Sequence, residues 1–576
     1  MPEKSSGSGP SSEVDIVVVG SGVTGLSAAI VAAHRGQKVV VLEQDESLGG
    51  TTAVSGGWMW LPGNKAGLER GDTREDIEAY IRAIAGDSFN SELVTSFLDS
   101  VPEVMNFFEE HTDMEFVYAD IAPDYQMTAP GAREGGRAVT VTRVDGRLAG
   151  PDRKKIQPYI PTITVFGYMP EVGADLARIL KASYHFPSFV YLTMRVLRTW
   201  LEVLFFGRGL VRSNGNALIT RLVATAQRLH IPLRTQTGVS RLLVDDNGAI
   251  SGVETSSGQQ IHARKGVVLA AGGFAGNADL RKIYFSHDRA GNNHQTPTVG
   301  HGGGGFLLAQ EVGGVMDASP HQPAPWAPIT RFKNLRNQER VFPHLRAFGL
   351  PGLICVNQRG ERFANESLSY HDFCREWLKD SQGQTTFHAY IIGDRNTMRR
   401  YGMGYAKPFP VPNWYFKKIG YLISGRSLTE LAEKINVPAD QLKKTLAEFN
   451  EHAARGEDPQ FQRGTTKFHH FKGDLSHKPN PNLAPIDRGP FYAVKIIMGD
   501  LGTFAGLSVN GACQVLDAKG NPIPGLYAGG TAAVSVFGGA YPGFGSNIGQ
   551  GLVQGHIAAS ELADASARDI PAHDRA

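Results

Sequence analysis

The chain has 576 residues, enough for more than one hydrophobic core, and its 58 Lys and Arg nearly balance 56 Asp and Glu, a formal net charge of +2. That balance supplies no field that would draw the protein to nucleic acid. Its three cysteines, Cys355, Cys374 and Cys513, are odd in number and lack Cys-x-x-Cys spacing, which argues against a disulfide framework or a zinc site and fits a reducing, cytoplasmic setting.

Residues 1–12 are polar and no apolar run follows them, so a disordered tail is expected rather than a signal sequence. Asp15 to Val19 then reads as a buried parallel strand, Thr24 to Arg35 as an Ala-rich helix and Lys38 to Glu43 as a second buried strand. The turn between the first two carries Gly20, Gly22 and Gly25. In that setting Gly20 allows the tight turn, Gly22 lets backbone approach a pyrophosphate at the helix N-terminus, and Gly25 permits close helix–strand packing. Glu43 ends the second strand, where its carboxylate can accept from ribose hydroxyls. A dinucleotide is expected here.

The loop after Glu43 is dense in backbone amides and hydroxyls: Gly49, Gly50, Thr51, Thr52, Ala53, Val54, Ser55, Gly56 and Gly57. It suits a diphosphate and an isoalloxazine edge, and so FAD over NAD. A hairpin from Val239 to Glu254, turning at Asp246-Asn-Gly248, precedes the strand Gly266 to Ala271, which runs into Gly272 and Gly273. Near the C-terminus Gly525-Leu-Tyr-Ala-Gly529-Gly530-Thr is a similar strand end, followed by Tyr541-Pro-Gly543-Phe-Gly545-Ser546-Asn-Ile548, a glycine loop opening a helix. These segments predict an α/β protein with a Rossmann-like FAD-binding domain made of residues 13–295 and 486–565. An α+β catalytic domain, residues 296–485, is inserted between them. The turn Gly302 to Gly305 precedes an expected helix from Phe306 to Val312. The candidate cofactor contacts are Gly20, Gly22, Gly25, Glu43, Gly50, Thr51, Thr52, Ser55, Gly56, Gly57, Ala271, Gly272, Gly529, Gly530, Ser546 and Ile548. No metal-ligand pattern is present.

Within an insertion at 150–212, the stretch 178–212 interleaves Arg178, Lys181, Arg195, Arg198, Arg208 and Arg212 with bulky apolar residues. On a helix Arg195, Arg198 and Glu202 share one side and leave Phe189, Leu192, Val196, Leu197, Trp200, Leu201 and Leu204 on a broad apolar face. Too charged to span a bilayer, it reads as a peripheral membrane contact or as a packing face against core or partner.

Three tyrosines stand in contexts that resemble a known family. Tyr125 precedes Pro130-Gly131 and Gly136-Arg137; Tyr370 follows Arg362-Phe-Ala-Asn365-Glu366; Tyr541 precedes Gly545 by four positions. The pattern resembles the FAD-dependent fumarate reductase/succinate dehydrogenase superfamily and, within it, the 3-ketosteroid Δ1-dehydrogenases. The resemblance implies removal of hydrogen across C1–C2 of a 3-ketosteroid. The Tyr541 hydroxyl and Gly545 N–H would hold the C3 carbonyl oxygen, Tyr370 would take the C2 proton, Tyr125 would assist Tyr370, and flavin N5 would accept hydride from C1. A tyrosine of ordinary pKa near 10 is a poor base, so this scheme asks for surroundings that favour tyrosinate.

Tyr370 stands where fumarate reducers carry a cationic acid, which disfavours a dicarboxylate, and the 49–57 loop has no histidine for covalent flavin attachment, so non-covalent FAD is expected. Other readings within the superfamily are a Δ4-dehydrogenase of 5α-3-ketosteroids or an enoate reductase; outside it, a flavin-binding membrane sensor without turnover. A quinone is the expected electron acceptor if the membrane contact holds, with the protein cytoplasmic and peripheral to the inner face of the membrane. His301, His321 and His371 read as satisfied polar residues rather than proton carriers.

Overall fold

A computed structural model describes residues 12–288, 298, 300, 302–382, 384 and 386–566. The expected disordered tail at 1–12, Ser12 apart, and His301 lie outside the described residues.

The first sheet runs in the order Gln514–Leu516, Pro522–Ala528, Gln260–Leu269, Ser12–Val19, Val39–Leu42 and Leu233–Arg234. Its central pairings are parallel, with Val17 opposite both Val40 and Val267 and Val267 opposite Leu526. Ile16, Val17, Val18, Val41 and Val268 are fully buried, as expected of strands covered on both faces. The two ends of the chain thus share one sheet. They also share a helix layer, because Ser27 Oγ on helix Val23–His34 donates to the Leu552 carbonyl of helix Ser546–Asp564 at 2.7 Å. The expected hairpin forms as Val239–Val244 and Ile250–Thr255, and its second strand pairs onto Gln260–Leu269.

The second sheet is antiparallel, in the order Glu339–Pro343, Trp326–Lys333, Phe491–Asp500, Ala389–Gly393 and Leu353–Asn357, with Ile423–Gly425 also pairing to Phe491–Asp500. The period-two rule divides its side chains. Ile354, Val356 and Ile392 face a core shared with Leu431 and Leu446 of helices Leu428–Ile435 and Ala439–Ala453, whereas Leu353, Cys355 and Ile391 face the main core. The expected boundary at residue 486 is corrected by this pairing: Phe491–Asp500 is a central strand of the second sheet, and the chain rejoins the first sheet only afterwards. Sequence alone could not separate these strands, since both are buried apolar runs.

The insertion forms helix Phe186–Phe206, but the expected apolar face is divided. Val196 is buried and, with Leu192 and Tyr191, packs on Tyr168 and Ile179, while Phe186, Met194, Trp200, Leu201, Leu204 and Phe205 are exposed. Glu202, assigned to the polar side, is buried; it pairs with Arg198 at 2.8 Å and accepts from the Leu210 N–H at 2.7 Å. Arg208 and Arg212 leave the supposed basic surface. Arg208 donates to the carbonyls of Ile156 and Gln157, and burial pushes its pKa down to about 10; Arg212 is buried. Among the described residues no helix is long and apolar enough to cross a membrane.

Candidate active site

The cofactor candidates gather at the carboxyl ends of the parallel strands, where open α/β sheets hold ligands. Gly20 follows Ser12–Val19 with φ of +106°, and a Cβ there would lie 2.4 Å from the Ala270 carbonyl oxygen. A Cβ on Gly25 would lie 1.9 Å from the Gly20 oxygen, so that position is closed to any other residue. Gly22 caps helix Val23–His34 without a side-chain bond, and a Cβ on it would meet only Thr52 Oγ1, at 3.8 Å. Gly50, at the start of helix Gly50–Val54, has nothing within 4 Å of a Cβ. Open space over a helix N-terminus ringed by backbone amides fits a diphosphate.

Glu43 is buried, and its carboxylate accepts from the Ser21 hydroxyl at 2.5 Å and from the Ser21 and Asp45 N–H groups at 3.0 and 3.1 Å. Ala271 and Gly272 extend from Gln260–Leu269, and Gly529 and Gly530 from Pro522–Ala528; the Gly530 N–H donates to Gln554 Oε1 at 2.9 Å. Thr51 and Thr52 lie on helix Gly50–Val54, with Thr52 Oγ1 accepting from the Val23 N–H at 3.3 Å. Ser55 is spent inside its own loop, donating to the Thr52 carbonyl at 2.7 Å and accepting from Gly57 N at 3.1 Å. Gly56 is the exposed residue of that loop, and Gly57 abuts the Asn214 backbone.

The three tyrosines converge. Tyr125 Oη donates to Tyr370 Oη at 3.2 Å, the Tyr125 and Tyr541 rings stack 5.5 Å apart at 11°, and Tyr370 meets Tyr541 edge-on at 5.5 Å. Each ring is held by a different device. For Tyr125 it is Asp124, fully buried, which accepts from Arg137 at 2.8 Å, from Trp60 Nε1 at 2.9 Å and from Arg133 N at 2.9 Å. Burial outweighs these partners and pushes the Asp124 carboxyl up to about 6. Tyr370 is the first residue of helix Tyr370–Asp380, whose N-cap Ser369 accepts from Asp372 N at 3.0 Å. The segment leading to it is pinned by Glu366, wholly buried, which pairs with Arg362 at 2.7 Å and Arg463 at 3.1 Å and accepts from Cys355 N at 3.0 Å.

Tyr541 is fixed through the next residue: the Pro542 carbonyl accepts from Tyr80 Oη at 2.7 Å and from Tyr125 N at 3.0 Å. Four residues on, Gly545 caps helix Ser546–Asp564 with φ of +79°, and a Cβ there would lie 1.8 Å from the Trp58 carbonyl oxygen. Ser546 Oγ donates to the Gly543 carbonyl at 2.8 Å, and the Ile548 N–H donates to the Gly545 carbonyl at 3.0 Å.

The surroundings do not favour tyrosinate in the way the sequence scheme required. Burial raises all three phenols well above the ordinary tyrosine value, and their neighbours add to it, Tyr541 on Tyr125, Tyr125 on Tyr370 and Tyr370 on Tyr541. His371, next to Tyr370, is fully buried with Nδ1 accepting from Trp326 N at 3.1 Å, and burial drives its pKa well below the usual value; burial also lowers His321. Sequence reasoning missed Tyr80 and Asp124, which position Tyr125 and Tyr541, and the aromatic wall of Phe468 and Phe544, whose rings lie 4.8 and 4.9 Å from that of Tyr125. Asp124 adjoins Tyr125 and Phe544 lies inside the Tyr541 loop, so adjacency to a candidate tyrosine was the available signal.

A parallel sheet with glycine-lined strand ends, open space over a helix N-terminus and a buried phenol cluster are the parts of an FAD-dependent oxidoreductase. The chain belongs to the FAD binding domain family, which it matches over residues 15–548. It is 50% identical, over 96% of its length and 95% of the other, to 4-oxocyclohex-2-ene-1-carboxylate 5-dehydrogenase of Sinomonas cyclohexanicum. To 3-oxosteroid 1-dehydrogenase of Mycobacterium tuberculosis it is 34% identical, over 96% and 98%. Among solved structures it resembles 3-ketosteroid delta1-dehydrogenase of Sterolibacterium denitrificans in complex with 1,4-androstadiene-3,17-dione, with TM-score 0.85, 28% identity and coverage of 96% and 100%.

Proposed function

We propose that the protein removes hydrogen from the α and β carbons of a ring ketone, leaving a double bond conjugated to the carbonyl, and that its substrate is a small 4-oxocyclohexenecarboxylate. The observation that carries the reaction is the convergence of Tyr125, Tyr370 and Tyr541. The relative at 50% identity favours the cyclohexenone over the steroid. The 3-ketosteroid C1–C2 bond is the second reading, supported by the likeness to steroid dehydrogenases at 34% identity and at TM-score 0.85.

FAD, when bound, supplies the acceptor for the hydride that leaves the β carbon. Gly20, Gly22, Gly50, Thr51 and Thr52 would hold its diphosphate, Glu43 a ribose, and Ala271, Gly272, Gly529 and Gly530 the remaining edge of the nucleotide. The chain's own residues manage the carbonyl and the proton. Tyr541 Oη and the Gly545 N–H would donate to the ketone oxygen and stabilise the negative charge that grows there as the α proton leaves. Tyr370 Oη would take that proton, and the Tyr125 hydroxyl would hydrogen-bond the phenolate as it forms. The closed site keeps water from competing, since these tyrosines are each 8% exposed or less. Anaerobic bleaching of the bound flavin by 4-oxocyclohex-2-ene-1-carboxylate, with identification of the new double bond, tests the reading. A 3-ketosteroid that bleaches faster would favour the second one.

The exposed apolar side of helix Phe186–Phe206 supports a peripheral membrane contact, where a quinone would be at hand to reoxidise the flavin. Replacing Leu204 and Phe205, 75% and 73% exposed, by serine should abolish flotation with anionic liposomes; unchanged flotation would refute the contact.

A further inference from the structure

Helix Lys467–Lys472 forms one wall beside the tyrosines. Its Phe468 ring lies 4.8 Å from Tyr125, and its Phe471 ring lies 5.2 Å from Phe544, which is itself 4.9 Å from Tyr125. Two cations sit against these rings. Lys472 is 3% exposed, and its Nζ lies 4.1 Å from the Phe348 ring centroid and 6.0 Å from that of Phe468. Among the described residues its single hydrogen-bond acceptor is the Leu368 carbonyl, which leaves two of the three ammonium protons without a partner there. Arg346 donates to the Phe471 carbonyl at 3.2 Å, with its guanidinium 5.7 Å from the Phe471 ring centroid, and its buried Nε has no partner among the described residues.

Neither cation has a carboxylate within 4.0 Å among the described residues, and the acids nearby are already engaged. Asp474 accepts from Arg400 at 2.9 Å and Tyr401 at 2.7 Å; Asp372 accepts from Ser369 at 2.6 Å; Glu366 is shared by Arg362 and Arg463. The two cations also repel each other. Burial first, and then Arg463 and Arg346, push the Lys472 amine down to about 7. Burying positive charge without a counter-ion is costly, and an anion within reach of both would offset it.

We infer that Arg346 and Lys472 form an anion subsite that receives a carboxylate borne on the substrate ring away from the ketone. The inference rests on the ring-ketone reading above and assigns residues to the carboxylate of its substrate. A steroid without a carboxylate would leave the pair uncompensated, whereas a carboxylate would gain charge-assisted hydrogen bonds from both.

The test uses the FAD-loaded enzyme and two ligands that differ in charge, 4-hydroxybenzoate and 4-hydroxybenzamide, titrated by calorimetry. The wild type is expected to bind the anion at least tenfold more tightly than the amide. Arg346→Gln and Lys472→Met should each weaken the anion by roughly ten- to hundredfold while leaving the amide within about twofold, and Lys472→Arg should keep the preference. Should Lys472→Met not fold, Arg346→Gln, a partly exposed position, decides alone. Equal affinity of the wild type for both ligands, or equal weakening of both by Arg346→Gln, would overturn the subsite. Flavin bleaching by cyclohex-2-enone, which has no carboxylate, separates the two ideas: bleaching without anion preference defeats the subsite alone, and no bleaching by any ring ketone defeats the reading of the reaction.

Discussion

Tyr125 and Tyr370 are 245 positions apart in the chain, and their hydroxyl oxygens lie 3.2 Å from each other, with Tyr125 donating. Either hydroxyl of such a pair can carry the shared proton, so Tyr125 is placed to donate to a Tyr370 phenolate as it forms. A hydrogen bond to an ionised partner contributes about 1.5–3 kcal/mol. Tyr125→Phe should therefore slow anaerobic flavin bleaching by about ten- to a hundredfold, with FAD content unchanged. A variant that bleaches at the wild-type rate would remove Tyr125 from the proton path.

Because burial holds Tyr370 well above the ordinary tyrosine value, the reactive phenolate is a minor form at neutral pH. For a base whose pKa lies above the working range, the ionised fraction grows about tenfold per pH unit. The bleaching rate should rise with that slope from about pH 6 to 9 and show no descending limb there. A plateau below pH 8 would mean that a different base acts or that bound flavin has reversed the shift.

Gly545→Ala should fail structurally rather than chemically. The new Cβ would fall 1.8 Å from the Trp58 oxygen at a φ of +79°, so the loop must move, at a cost of at least about 1–3 kcal/mol. A lower melting temperature and reduced FAD content are expected together. An alanine variant with wild-type values for both would show the Trp58 contact to be slack.

Acid should destabilise the protein before its carboxylates titrate. Burial lowers His344 to about 3, leaving it neutral in the fold, while the unfolded chain takes up that proton near pH 6.5. Stability contributed by neutral His344 is thus intact above about 6.5 and falls as pH drops toward 3, by about 1.4 kcal/mol per pH unit for each such proton. His469, lowered to about 3, adds to the slope. His344→Gln keeps a donor for Thr330, which lies 2.8 Å from Nε2. It should flatten the urea-unfolding dependence between about pH 6.5 and 4.5 by one proton; an unchanged slope would show that His344 is already charged.

What could be read from the sequence was local: the Gly20–Gly25 turn, the valine strands around it and the helix after Gly545 each announce themselves by residue type and period. The tyrosines were found through their contexts, and the fold explains those contexts, since Glu366 and Arg137 are the buried ion-pair anchors of the Tyr370 and Tyr125 segments. Two things stayed hidden because they depend on packing between distant elements. One was the membership of Phe491–Asp500 in the second sheet. The other was the inward turn of Glu202 and Arg208: besides Arg198, which helical spacing shows, their partners include the Leu210 N–H and the Ile156 carbonyl, backbone groups that no residue pattern reveals.

The most direct test of the account is anaerobic stopped-flow reduction of the bound flavin by 4-oxocyclohex-2-ene-1-carboxylate in wild type and Tyr370→Phe. The account predicts rapid bleaching in the wild type and a loss of at least about a thousandfold in the variant, with FAD still bound. Bleaching of the variant at the wild-type rate would contradict it.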